Sequence, residues 1–375
     1  MLGAAVVALI WANSAASDTY HSIFSHVLGF GSGVFELRKS FGVWISDALM
    51  AVFFLFVGLE IKREMLLGQL SSRERIALPA IAALGGMIVP ALFFLTFNHG
   101  NAVGARGWAV PCATDIAFSL AVLRVLGNRI PTSLRLFLTA VAVLDDVGAI
   151  LIIAVFYTEH LSMVMLAAAL VPIAMLFALN RAGVTSVSAY LLMGALLWWC
   201  ILKSGIHPTI AGVILACAIP LHTKRGPMLE SLEEKLQAWV VFLILPLFAL
   251  ANAGVSLAGL QAKSLVEPVA LGIILGLVFG KTFGITIGVI VSSVLRLGRK
   301  PADASWFQML GVAYLCGIGF TMSLLLAALA YESNAPELFA SAKLGVLVGS
   351  TLGAIAGVIV LLLAPPLRGS TASAT

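Results

Sequence analysis

The chain has 375 residues, of which 61% are hydrophobic and 10% are charged, and its mean hydropathy is +1.08. A soluble globular domain carries about 25% charged residues, so this composition excludes a water-soluble fold. The net charge of +5 follows from basic residues between the apolar segments and does not indicate nucleic-acid binding. The composition is typical of a protein that crosses a membrane many times.

Apolar segments of about 20 residues, the length that crosses a bilayer as a helix, recur along the whole chain. We predict an all-α, polytopic membrane protein with about twelve transmembrane helices, organised as one domain over residues 1–375. The predicted spans are 1–14, 41–60, 76–97, 107–126, 134–157, 161–180, 186–202, 205–221, 238–257, 268–295, 306–331 and 340–364. The first segment lacks the basic region and cleavage site of a signal peptide, so we predict a true helix there.

Basic residues predict the orientation of these spans, because Lys and Arg concentrate in cytoplasmic loops. If alternate loops face the cytoplasm, 15 of the 22 Lys and Arg residues lie on that side and 6 lie on the other. The remaining one, Lys281, falls inside a span. Both termini are therefore predicted to be cytoplasmic. The four Cys residues lie in or at apolar spans without metal-binding spacing, which indicates small buried side chains.

Most of the 17 acidic residues lie in loops or at span ends, but four lie well inside predicted spans: Asp47, Asp115, Asp145 and Asp146. A charged side chain at the bilayer centre costs about 2.5–3.5 kcal/mol even on a lenient scale, so such residues are candidates for a functional site. For Asp47, close to the start of its span, hydrogen bonding at a helix end is an equal alternative.

Asp145 and Asp146 are adjacent in the apolar stretch "AVAVLDDVGAILIIAV". Neighbouring residues on a helix point about 100° apart, so the two carboxylates cannot face the same spot. We expect one to face a central site and the other a neighbouring helix that carries Lys281, because a buried Lys requires a counter-ion to stay charged. A purely structural ion pair is the alternative, but it accounts for only one of the carboxylates at mid-span.

Two predicted spans contain helix-breaking residues near the middle. In "GWAVPCATDIAFSLAVL", Pro111 removes a backbone donor and is followed by Thr114 and Asp115; in "LGVAYLCGIGFTMSLLLAAL", Gly317 and Gly319 lie in mid-span. These breaks occupy the middle members of helices 3–5 and helices 10–12, two triplets that insert in opposite orientation. Matched breaks in inverted-topology repeats indicate a transporter's binding site near the midplane, and the NhaA transporter is itself one example behind that rule.

Half-helices that meet end to end expose partial positive charge at their N-termini and partial negative charge at their C-termini. We expect Asp115 to neutralise the former and Lys281 the latter. Carboxylate and hydroxyl oxygens suit a hard cation rather than a transition metal. A buried carboxylate can also take up a proton, because burial penalises its charged form. Competition between a cation and protons for the same oxygens is a mechanism of cation/proton antiport.

Several stretches together resemble the bacterial NhaA family of Na⁺/H⁺ antiporters, in the same order and across almost the whole chain. They include "SDALMAVFFLFVGLEIKREML", "PAIAALGGMIVPALFFLTFN", "GWAVPCATDIAFSLAVL", "AVLDDVGAILIIAVFYT", "VFLILPLFALANAGV" and "LCGIGFTMSLLLAAL". The resemblance implies a transporter, not an enzyme, in the bacterial cytoplasmic (inner) membrane. It also implies electrogenic exchange of cytoplasmic Na⁺ or Li⁺ for external protons by alternating access, for pH and sodium homeostasis. The transported ions are then substrates, and no cofactor is expected.

The resemblance also implies roles for individual residues. Asp146 would be the principal carboxylate that binds Na⁺ or Li⁺, and Asp145 a second one that carries a proton and pairs with Lys281. Thr114 and Asp115 would lie where the two broken helices cross, with Asp115 assisting the cation.

A cytoplasmic cluster that the family links to its pH response is implied as well. Its members are Glu60, Arg63, Glu64 and Glu233. From the residues alone, a solvated charge cluster at a span end is the alternative for Glu60. Glu234 and Gln237 stand where some relatives have histidines, so imidazole titration cannot act at those positions.

The expected partners are Na⁺ or Li⁺, protons and the lipid bilayer. The external segment 17–40 lies where relatives form a β-hairpin that joins two protomers, so a homodimer is expected through it. No nucleic acid is expected to bind.

Two other classes of function remain as alternatives. An intramembrane aspartyl protease needs two aspartates on separate helices, but "ATDIAF" and "VLDDVG" lack the GxGD pattern of such enzymes, and Lys281 would have no role. A Na⁺-coupled symporter would need a roomy polar pocket for an organic solute, whereas the polar residues inside the spans supply only ion-sized chemistry.

Overall fold

The computed structural model describes residues 1–30, 37–68, 71–158, 161–224, 226–255 and 262–364. Residues 31–36 of the external segment and the tail from residue 365 lie outside the described residues. The described part is almost entirely helical, with helices at Leu2–Ala12, Ser17–Ser25, Phe41–Leu66, Arg73–Phe97, Ala102–Cys112, Ile116–Val125, Thr132–Phe156, Met163–Arg181, Val187–Ser204, Ile210–Ala218, Met228–Asn252, Pro268–Val294, Trp306–Cys316, Phe320–Tyr331 and Pro336–Leu363. Short 3-10 turns lie at Gly127–Arg129 and Ala262–Leu265.

Eight of these helices are long and apolar enough to cross a membrane, and two bent pairs each pass the same test as one span. The described residues therefore contain up to ten such spans, which correspond to ten of the twelve predicted ones, and the all-α, multi-pass architecture is confirmed. The predicted spans 1–14 and 205–221 are shorter helices, Leu2–Ala12 with 11 residues and Ile210–Ala218 with 9. At 1.5 Å per residue, each covers only part of a hydrocarbon layer about 30 Å thick.

The helices pack as two compact units, each formed from two stretches of chain. One unit is Met1–Leu66 with Ile150–Leu260, and it contains the four residues of the predicted pH cluster. The other is Leu67–Ala149 with Gln261–Thr375, and it contains both bent spans and every residue of the predicted ion site. The organisation as one domain over residues 1–375 stays a prediction.

Two short antiparallel strand pairs accompany the helices of the first unit. Val27–Phe30 pairs with Leu37–Ser40, and His222–Thr223 pairs with Gly226–Pro227. The first pair lies inside the external segment 17–40, where the family resemblance implied a hairpin. Ser40 ends this pair and caps the next helix, since its hydroxyl accepts a hydrogen bond from the backbone N–H of Val43 at 3.4 Å.

Glycines allow Arg73–Phe97 and Pro268–Val294, two long helices of the second unit, to approach almost to backbone contact. A methyl group at Gly284 would lie 2.1 Å from the carbonyl oxygen of Gly85, and one at Gly85 would lie 2.2 Å from that of Gly284. Small residues at such crossings are typical of packed membrane helices. Lys281 lies about one turn before Gly284, so this contact fixes where the lysine enters the unit.

We expect Gly284→Ala to lower the stability of the protein by about 1–3 kcal/mol, because the added methyl group must push the two helices apart. Thermal unfolding of the purified protein in detergent measures the effect. Gly3→Ala is the matched control, since a Cβ at Gly3 would have nothing within 4 Å. Equal melting of Gly284→Ala and wild type would contradict the close helix contact.

Candidate functional site

The candidate site lies where two bent spans of the second unit meet. We call Ala102–Cys112 with Ile116–Val125 the first interrupted span, and Trp306–Cys316 with Phe320–Tyr331 the second interrupted span. Their half-helices are bent by 44° and 42°, respectively. Each bend has a break of at most four residues, so each interrupted span contributes one C-terminal and one N-terminal half-helix end to the crossing.

Local sequence explains both interruptions. Pro111 lies in a 3-10 turn that ends the first half-helix, and Asp115 begins the next one from an extended conformation. In the second interrupted span, Gly317 ends one half-helix and Gly319 begins the other. The two breaks are joined directly, because the backbone N–H of Asp115 donates to the carbonyl oxygen of Ile318 at 2.6 Å.

Asp115 binds the N-terminal ends of half-helices from both interrupted spans. Its Oδ1 accepts from the backbone N–H of Phe118 at 2.9 Å. Its Oδ2 accepts from the backbone N–H of Thr321 at 3.2 Å and from the Thr321 hydroxyl at 2.5 Å. A carboxylate suits these ends, because their unpaired N–H groups carry partial positive charge. Asp115 therefore lies at the half-helix ends where the sequence analysis expected it.

The partners of the C-terminal ends at the crossing are hydrogen-bond donors. Lys281 Nζ donates to the carbonyl oxygen of Cys112, the last residue of its half-helix. The Thr114 hydroxyl lies 2.7 Å from the carbonyl oxygen of Cys316, which ends the equivalent half-helix in the second interrupted span. Positive charge is favourable at a helix C-terminus, so Lys281 also lies where the sequence analysis expected it.

Asp145 joins Lys281 and Thr114 in one buried network. Its Oδ2 lies 2.6 Å from Lys281 Nζ and 2.7 Å from the Thr114 hydroxyl. Its Oδ1 is buried and receives no hydrogen bond from any residue that the structure describes. Thr114 has one hydroxyl proton but two acceptors within reach, the Asp145 carboxylate and the carbonyl of Cys316, so it can donate to only one of them at a time.

Asp146 follows Asp145 on the helix Thr132–Phe156 and is equally buried, with 2% of its surface exposed. The structure therefore brings Thr114, Asp145 and Lys281 into direct contact, and holds Asp115 at the adjoining break through other partners. That Asp146 is the principal cation ligand stays a prediction.

The residues of the predicted pH cluster come together in the first unit. Arg63 Nε lies 2.9 Å from Glu233 Oε2, and Arg63 Nη1 lies 3.0 Å from Glu64 Oε1. Glu60 interacts electrostatically with these three residues. The Arg63 side chain is 32% exposed and that of Glu233 is 14% exposed, so the cluster is only partly shielded from water.

Asp47 belongs to a separate cluster in the first unit. Its carboxylate pairs with Lys39, and its Oδ1 lies 3.6 Å from His207 Nε2. These contacts favour the structural alternative stated for Asp47. The sequence analysis missed both partners, because nothing in the chain relates the segments that carry them to the start of the Asp47 helix.

Thr321 is the other contact that the sequence analysis missed. A sequence signal existed, since Thr321 follows Gly319, the last residue of the second break, by two positions. A hydroxyl residue in the first turn after a mid-span interruption is thus a candidate partner for a carboxylate on the opposite span.

Comparison with known proteins gives a consistent result. The family described as Na⁺/H⁺ antiporter 1 matches residues 1–361. A relative from Pseudomonas syringae pv. syringae, named Na(+)/H(+) antiporter NhaA 2, is 53% identical over 365 residues, which cover 96% of this chain and 91% of the relative. Na(+)/H(+) antiporter NhaA 1 from Klebsiella pneumoniae is 50% identical over 360 residues, covering 96% and 91%. Na(+)/H(+) antiporter NhaA from a strain of Escherichia coli is 51% identical over 356 residues, covering 94% and 92%. These matches confirm the resemblance that the sequence motifs indicated.

We expect Lys281→Ala to destabilise the protein by about 3–5 kcal/mol, because it leaves the buried Asp145 carboxylate without its counter-ion. It also leaves the carbonyl of Cys112 without the lysine donor. The double variant Lys281→Ala/Asp145→Ala should recover part of this loss, since it removes both charges together. Thermal unfolding of the single and double variants measures both effects. If Lys281→Ala melts like wild type, the ion pair does not stabilise the fold.

Proposed function

The chain belongs to the Na⁺/H⁺ antiporter 1 family, and on that premise we propose that Asp145 and Asp146 form the site where Na⁺ or Li⁺ competes with protons. The protein is a multi-pass membrane transporter that exchanges Na⁺ for H⁺. The observation that carries the proposal is the buried network of Asp145, Lys281 and Thr114 at the crossing of the interrupted spans, with Asp146 next in the chain.

The cation binds mainly to Asp146 in this proposal, and Asp145 and Thr114 supply further oxygen atoms. A hard monovalent cation favours such carboxylate and hydroxyl ligands over nitrogen or sulfur. Oδ1 of Asp145 supports this role, because it is buried and no described residue hydrogen-bonds to it. Asp115 assists by its charge from the adjoining break. The ion is a substrate, so the mechanism requires no resident cofactor.

Protons compete for the same oxygens. A carboxylate that loses its cation in a buried site is strongly favoured to take up a proton or to pair with another cation. For Asp145 that other cation is Lys281, whose ammonium group lies 2.6 Å from Oδ2. We propose that binding of Na⁺ displaces the proton carried by Asp145 and alters its pairing with Lys281. If both aspartates release a proton when one Na⁺ binds, two protons cross the membrane for each Na⁺ that moves in the opposite direction. Net charge then crosses the membrane, and exchange is electrogenic.

Alternating access depends on the crossing itself. Ordinary helices are held by continuous backbone hydrogen bonds, whereas the half-helix ends here depend on a few side chains. Three of those side chains, Thr114, Asp115 and Lys281, belong to the proposed site. A change in what the carboxylates bind therefore changes what holds the half-helix ends, which supports rearrangement of the interrupted spans during transport.

We also propose the cellular setting. The distribution of Lys and Arg supports an orientation with both termini in the cytoplasm of a bacterium and a location in its cytoplasmic (inner) membrane. Cytoplasmic Na⁺ or Li⁺ then leaves in exchange for external protons, which serves pH and sodium homeostasis. The external segment 17–40, with its pair of strands, supports a homodimer, and lipid surrounds the spans.

The cluster of Glu60, Arg63, Glu64 and Glu233 is the proposed site of the pH response. Its ion pairs are partly exposed, so protons from the water can reach them. Protonation of one carboxylate would weaken its pair with Arg63 and change the packing of the two helices that carry the cluster.

Na⁺ or Li⁺ added to everted membrane vesicles that hold a respiration-driven pH gradient should collapse the gradient. Asp146→Asn should abolish this response while the protein still reaches the membrane, because the amide side chain of Asn has no negative charge to bind the cation. Asp303→Asn is the matched control, since Asp303 is exposed and its Oδ1 accepts from the Ser133 hydroxyl. The assay contains no organic solute, so it also separates an antiporter from a symporter.

Two results would contradict the proposal. An absent response to both ions across the neutral and alkaline pH range would exclude Na⁺ or Li⁺ exchange. Intact exchange by Asp146→Asn would mean that the cation binds elsewhere.

A further inference from the structure

The half-helix that starts at Phe320 has no capping side chain of its own. Its N-cap residue is Gly319, which has no side chain to accept hydrogen bonds from the first backbone N–H groups of the half-helix. Its first N–H groups bond instead to distant residues: Phe320 N donates to the Ser350 hydroxyl at 3.2 Å, and Thr321 N donates to Asp115 Oδ2 at 3.2 Å. Asp115 thus performs for the second interrupted span the capping that a local Ser or Asp normally performs.

The Thr321 hydroxyl adds a further and shorter bond to the same oxygen. Its Oγ1 lies 2.5 Å from Asp115 Oδ2, in the range of a charge-assisted bond between a hydroxyl and a carboxylate. Thr321 is 1% exposed and Asp115 is 2% exposed, so water cannot readily replace the hydroxyl. Together with Phe118 N, the Asp115 carboxylate accepts from three donors.

Two serine hydroxyls near the crossing make a different kind of contact. Ser323 Oγ, two residues further along the same half-helix, donates to the carbonyl oxygen of Val110 at 2.6 Å. Ser119 Oγ donates to the carbonyl oxygen of Leu315 at 2.8 Å. These serines satisfy backbone ends, whereas Thr321 donates to an ionisable side chain of the proposed site. Threonine also restricts its hydroxyl to few rotamers, which suits an orienting role.

We infer that Thr321 is a positioning residue of the ion site, which holds the Asp115 carboxylate in a fixed orientation between the two interrupted spans. This inference rests on the proposed function, because it assumes that the charge of Asp115 assists the cation.

Thr321→Val tests the inference, because valine keeps the shape of the side chain and removes the hydroxyl. One lost charge-assisted hydrogen bond corresponds to about a tenfold change, so the KM for Na⁺ should rise about tenfold in proteoliposomes of the purified protein. The kcat should change much less than the KM, because Asp145 and Asp146 remain in place. Thr321→Ser retains the hydroxyl and should restore the KM to nearly that of wild type.

Ser323→Ala is the matched control on the same half-helix. It removes a buried hydroxyl that bonds a backbone carbonyl, so it should lower thermal stability and leave the KM unchanged. If Thr321→Val does not accumulate in the membrane, Thr321→Cys replaces it, since a thiol is a weaker donor and should raise the KM by less.

A wild-type KM in Thr321→Val, or in Thr321→Cys where it is used, would overturn the inference, as would a Thr321→Ser variant as impaired as Thr321→Val. Asp115→Asn separates this failure from failure of the proposed function. Impaired exchange in Asp115→Asn with normal Thr321→Val removes only the role of Thr321. Normal exchange in Asp115→Asn removes the assisting role of Asp115 and overturns the inference with it, while Asp146→Asn still tests the cation site.

Discussion

The structure of the candidate site depends on one constraint, which is that a helix broken inside an apolar layer leaves backbone groups that no water can satisfy. Two interrupted spans meet here, so two N-terminal and two C-terminal ends need partners at one place. Asp115 binds at both N-terminal ends, Lys281 at one C-terminal end and Thr114 at the other. The polar residues of the proposed ion site are therefore also the residues that allow the backbone to be interrupted.

This double use has an energetic consequence. A buried ion pair such as Lys281 with Asp145 contributes little net stability, because the free-energy cost of removing both charges from water offsets most of their attraction. The presence of this ion pair is better explained by the other contacts that each of its two residues makes. Lys281 bonds the half-helix end at Cys112, and Asp145 shares the hydroxyl of Thr114 with the half-helix end at Cys316. A change in the charge of Asp145 must therefore alter the hydrogen bonds of both C-terminal ends.

Close packing of two long helices sets the backbone position of Lys281. Where the helix that carries Lys281 crosses its neighbour, Gly284 and Gly85 bring the two backbones so close that neither position has room for a methyl group. The pH cluster around Arg63 is built differently, from long side chains in ion pairs that remain partly exposed. Protons from water thus reach that cluster more easily than the buried carboxylates.

The sequence by itself determined the features that depend on local chemistry. Hydropathy identified the spans, Pro111 and the glycines at 317 and 319 identified the interruptions, and the cost of a charge in an apolar run singled out Asp115, Asp145, Asp146 and Lys281. It did not determine where helices end. The predicted span 1–14 includes Asn13 and Ser14, which follow the helix Leu2–Ala12, and the predicted span 205–221 includes Pro208 and Pro220, which lie outside the helix Ile210–Ala218. Only the tertiary structure decided the partners: Thr321 for Asp115, Cys112 for Lys281, and Lys39 and His207 for Asp47. Such contacts depend on how distant segments pack, and the order of residues along a chain does not specify which distant groups become neighbours.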